Sequence, residues 1–107
     1  MSPKALEMFR GYYFRFGSRG EVSEPVHVHV YDQDGTEVMK VWLTRDSVKV
    51  ASRERALRPA TEKVLLEYIQ QGRGDILNKW ITCFGNAEVY GEAPSRRVSF
   101  MNLKCDK

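Results

Sequence analysis

The segment Val26-His27-Val28-His29-Val30-Tyr31 alternates strictly between β-branched and ring-bearing side chains. A period of two fits an extended strand and sends successive side chains to opposite faces. The three valines therefore share one face, and His27, His29 and Tyr31 share the other. A chain with this segment must build a sheet and find something apolar to cover its valine side.

The neighbouring segments supply the sheet. Tyr12-Tyr13-Phe14-Arg15-Phe16 is short, aromatic and bounded by Gly11 and Gly17, which predicts a strand. Asp32-Gln33-Asp34-Gly35 carries turn chemistry. Glu37 to Leu43 and Ser47 to Ala51 read as further strands. Connections this short favour antiparallel pairing. From Pro59 onward the period changes. Val64, Leu65, Tyr68 and Ile69 recur at helical spacing, as do Ile76, Leu77, Trp80, Ile81 and Phe84. Pro59 suits a first helical turn. Gly72 ends the first helix, Asp75 is expected to cap the second, and Gly85 to stop it. The predicted fold is α+β: an antiparallel meander of about four strands, with two helices in the C-terminal half packed on one face. Residues 1–87 are expected to form a single domain, and 88–107 a C-terminal extension, either a late strand over Arg97 to Leu103 or a tail.

Composition bounds the rest. At 107 residues with 42% hydrophobic and 29% charged side chains, the balance is that of one globular domain. No apolar run is long enough to span a bilayer, and the N-terminus lacks the apolar core of a secretory signal. Cys83 and Cys105 are too few for a disulfide framework, so a cytoplasmic chain with reduced thiols is expected. A net charge of +3 is too mild to decide for nucleic acid, and the basic stretches Arg45 to Arg58 and Arg96-Arg97 matter more than the sum.

The two histidines admit three kinds of chemistry. If the hairpin pairs with indices summing to about 67, Lys40 lies opposite His27 and Val38 opposite His29. Two imidazoles lack the third ligand that a catalytic zinc needs. Alternation places Glu24 with the valines, and Lys40 would oppose a cation, so neither a metal nor a cofactor is expected. His27 and His29 could instead act as base and acid in metal-independent RNA cleavage, with Lys40 or an arginine stabilising the phosphate charge. Alternatively, His27, His29, Tyr31 and Lys40 form a recognition surface, with Arg96 and Arg97 adding electrostatic steering. Most strand aromatics are expected in the core, as are Trp80 and Phe84.

The ordered set of segments is also familiar. An aromatic strand ends in Phe16-Gly17-Ser18. Glu24-Pro25-Val26-His27-Val28-His29-Val30 follows, then Lys40-Val41-Trp42-Leu43, a helix, and Trp80 with Phe84. From about Phe9 to Gly85 this resembles the bacterial family called domain of unknown function 4160. The resemblance implies a short cytoplasmic bacterial protein, with some members in toxin–antitoxin-like or mobile-element gene pairs. It carries over no catalytic residue. Residues and resemblance together lead to the expectation of a small binding protein that contacts a protein or nucleic-acid partner, including an inhibitor of a host defence or toxin protein. A protein partner is favoured and a membrane is not. The alternative is a ribonuclease toxin using His27 and His29.

Overall fold

The computed structural model describes residues 3–17, 24–85 and 87–91. Among the described residues, five strands form one antiparallel sheet in sequence order: β1 (Lys4–Phe9), β2 (Tyr12–Arg15), β3 (His27–Tyr31), β4 (Glu37–Leu43) and β5 (Val48–Arg53). Two helices follow, α1 (Pro59–Gln71) and α2 (Arg73–Phe84). The α+β meander is therefore as expected, with one strand more.

That extra strand, β1, was hidden for a physical reason. Lys4-Ala5-Leu6-Glu7-Met8-Phe9 is rich in good helix formers and does not alternate. Register shifts on either side of Leu6 break the period, so the adjacent Ala5 and Leu6 are both buried. A two-residue turn, Arg10-Gly11, joins β1 to β2 with both φ angles positive, at 54° and 82°, a combination suited to tight hairpins.

Cross-strand partners define the faces. Phe14, Val30 and Met39 align across β2, β3 and β4, and Val28, Val41 and Val50 across β3, β4 and β5. This apolar side forms one buried cluster with Leu65 and Ile69 of α1 and Ile76 and Trp80 of α2. The Tyr68 ring stacks on Phe9 at 4.2 Å and leans on Phe14 at 5.1 Å. Trp80 meets Phe16 edge-on at 5.3 Å and Phe84 at 4.6 Å. Arg53 of β5 donates twice to the Glu62 carboxylate of α1, at 2.9 and 2.6 Å.

The helix junction uses a single residue. Gly72 is the C-cap of α1 and the N-cap of α2. Its amide donates to the carbonyls of Tyr68 and Ile69, and its carbonyl accepts from Ile76. Asp75 lies in the first turn of α2 but makes no side-chain cap bond. The expected cap is thus replaced by a backbone connection too short to leave room for one. Pro59 starts α1, and Gly85 ends α2 in a left-handed conformation, as the sequence predicts. Among the described residues no helix is long and apolar enough to cross a membrane.

The chain then turns back onto the sheet. Ala87 and Val89 are buried. The Glu88 carbonyl accepts from Val26 N–H at 2.8 Å, and Tyr90 N–H donates to Leu43 O at 2.8 Å. Tyr90 also forms a parallel bridge with Thr44. Residues 87–90 therefore belong to the packed structure. The expected strand over Arg97 to Leu103 lies outside the described residues.

Candidate functional site

The sheet face opposite the helices is built from rings and cations. The hairpin register between β3 and β4 sums to 69 rather than 67: His27 faces Trp42, Val28 faces Val41, His29 faces Lys40 and Val30 faces Met39. The correction is two residues, so no side chain changes face. Its source is an irregularity between Val30 and Tyr31, where Tyr31 pairs with Glu37 and Val38 is left over. Val38 is fully buried, and its carbonyl accepts from the amides of Glu54 and Arg55. It does not stand opposite His29.

His27 does not present itself to a partner. It has no solvent exposure and contacts His29, Trp42 and Trp80 with ring centroids 5.0 to 5.5 Å apart. Its Nδ1 lies 2.7 Å from the Pro25 carbonyl oxygen. A carbonyl only accepts, so Nδ1 donates. The expectation that both imidazoles lie open is therefore corrected. Alternation placed His27 away from the valines but did not anticipate Trp80 of α2 reaching it.

His29 stays at the surface of the face, with 13% of its side chain exposed, and is oriented by a carboxylate: its Nδ1 is 2.7 Å from Glu37 Oε2. Its cross-strand neighbours are Arg15 on β2 and Lys40 on β4. Tyr31 lies beside it, ring to ring at 6.4 Å. Lys40 donates to Glu24 Oε1 at 2.6 Å. Glu24 therefore reaches the histidine side, not the valine side, because β3 begins only at His27 and the alternation does not extend through Pro25.

Lys40 also places its ammonium 4.6 Å from the centroid of Trp42. Trp42 stacks nearly parallel on Tyr90, at 5.1 Å and 13°. The Lys49 ammonium sits 5.2 Å from the Tyr90 centroid. The Trp42–Tyr90 pair was not legible from periodicity, because Tyr90 arrives from the segment after α2. Arg96 and Arg97 lie outside the described residues. Among the described residues, no group of three His, Cys, Asp or Glu side chains is placed to hold a metal ion.

This is a one-sided sheet carrying a carboxylate-oriented imidazole, a stacked aromatic pair and lysines against rings. It can hydrogen-bond, stack and neutralise anions. Among known families, the profile described as Domain of unknown function (DUF4160) matches residues 11–81. The chain belongs to the DUF4160 family. The matched DUF4160 span runs from the start of β2 into α2. Of the site residues the structure describes, it contains all except Tyr90, while β1 and residues 87–90 flank it. No curated protein and no solved structure matches the chain.

Proposed function

We propose that this DUF4160 protein is a binding protein of a toxin–antitoxin-like or mobile-element system, acting in the bacterial cytoplasm through the sheet face opposite its helices. The observation that carries the reading is the segregation of side chains. Helices cover the aliphatic face, while the other face keeps His29, Tyr31, Lys40 and Trp42 only partly buried. Large amphipathic rings and cations held on a rigid sheet are the residue types that anchor recognition at low entropic cost. The ribonuclease alternative is weakened by the burial of His27, since an acid–base pair needs both imidazoles within reach of substrate.

The test is recovery of partners from the native host with a His29→Ala/Tyr31→Ala variant. Expected is a near-native melt with partner recovery reduced at least about tenfold, equal to ~1.4 kcal/mol. Full recovery by a folded variant would move the site elsewhere. Growth arrest on expressing the wild-type chain, abolished by His29→Ala, would instead favour the toxin.

A further inference from the structure

We infer that the occupant of this face is a single-stranded nucleic acid, with bases stacking at the Trp42–Tyr90 pair and phosphates met by Lys40 and Lys49. The inference rests on the binding reading above and names its ligand class.

Three observations carry it. First, this face of β3, β4 and their neighbours carries His29, Tyr31, Lys40, Trp42 and Tyr13, all partly buried, and the exposed Lys49. None is aliphatic, and rings interleaved with lysines are the side chains that stack bases and meet phosphates along a single strand. Second, the Trp42–Tyr90 pair is nearly parallel at 13°, and Tyr90 is 37% exposed. A base can extend such a stack without regard to its identity, because every base has a π-face. Third, the ammonium groups of Lys40 and Lys49 already lie over these two rings, at 4.6 and 5.2 Å. Both are on flexible stems. An incoming base takes the place of Lys49 on the outer ring, and the displaced ammonium remains beside the phosphate that follows. Cations and rings in alternation complement a polymer that alternates phosphates and bases.

Charge on the face is modest, because Glu24 already pairs with Lys40 and Glu37 with His29. Binding should therefore be dominated by stacking. With about two phosphates met, log K should fall with log salt at a slope near −1.4, following about −0.7 per phosphate for single strands.

The two tryptophans provide the readout. Trp80 is 1% exposed in the core and Trp42 is on the face. The whole chain is titrated with oligouridylate and oligothymidylate of about twelve nucleotides and, separately, with polyphosphate of equal charge. Expected are quenching of Trp emission by the oligonucleotides, the shallow salt slope, and at least tenfold weaker binding by Tyr90→Ala, whose exposed ring can be removed with little change in the melt. Lys49→Ala should weaken binding severalfold. The RNA and DNA arms show which sugar is preferred. Polyphosphate binding as tight as oligonucleotide, or no quenching at about 50 mM salt, overturns the inference. If the oligonucleotides fail while His29→Ala/Tyr31→Ala still loses a host protein, the face binds protein and only the ligand class is wrong. If neither is bound or lost, the binding reading fails with it.

Discussion

His27 and His29 stand two residues apart on one strand, and their surroundings give them different work. His27 is sealed between Trp42 and Trp80 with its Nδ1 proton on the Pro25 carbonyl, so its polar atom is satisfied and its ring serves as packing. His29 remains partly exposed and is aimed by Glu37. His27→Ala should therefore cost about 2–5 kcal/mol, the range for truncating a fully buried side chain of comparable size, whereas His29→Ala should cost under about 1.5 kcal/mol. Trp80→Ala should cost about 3–5 kcal/mol. Urea melts of the three variants test this, and equal losses for the two histidines would show that they share one environment. The valine alternation made the strand and its faces legible. It did not reveal which ring a helix would cover, because that depends on how far Trp80 reaches from a distant element.

At the level of elements, the joint between the helices is a tight fit. A Cβ on Gly72 would lie 2.6 Å from Leu6 Cδ2, and Leu6 is itself in the core at 7% exposure. The Gly72→Ala variant should lose about 1–3 kcal/mol through overpacking. Adding Leu6→Ala should cost less than the sum of the single changes, because it removes the obstructing methyl groups. Additive losses would place the strain in the backbone instead. The glycine was legible as a break, but its contact with β1 was not, since β1 lacks the alternation that marks the other strands. The outer edge of β1 is also covered from the helices: Tyr68 Oη donates to the Glu7 carbonyl at 2.9 Å and Lys79 Nζ to the Ala5 carbonyl at 3.2 Å. Occupied carbonyls are poor templates for a further strand. The expected Asp75 cap failed for a similar reason, because a one-residue junction leaves the helix ends to satisfy each other.

For the molecule as a whole, two ion-paired carboxylates set the acid limit. The Thr36 amide, the Asp34 amide and Arg55 hold Asp32 below its usual 3.8, against an opposing effect of desolvation. The Arg53 guanidinium holds Glu62 below its usual 4.5. A depressed carboxyl adds stability above its unfolded pKa and loses it as pH falls through that value toward the folded one. Stability should thus be level from neutral pH to about 5 and decline below it, and Asp32→Asn with Glu62→Gln should flatten the decline. At the alkaline end, burial first and Glu7 second raise the Tyr68 phenol above 10.0. Its contribution is complete below that value and is lost as pH rises through the folded pKa. Melting temperature against pH for wild type and the double variant checks the acid limit, and Tyr68→Phe checks the alkaline one; curves parallel to wild type would show that other groups govern them.

The return of residues 87–90 to β3 and β4 has a consequence for synthesis. Every other strand pairs with its immediate predecessor, so the sheet can zip hairpin by hairpin as the chain leaves the ribosome, with little loop-closure entropy lost at each step. The Glu88 and Tyr90 bonds reach back across both helices to Val26 and Leu43, and no earlier segment makes them. During translation the Trp42 side of the sheet is therefore complete only after residue 90 has emerged. A nascent chain arrested just before that point should hold its helices and hairpins yet be cut by protease near β4, and become resistant within a few residues of further growth.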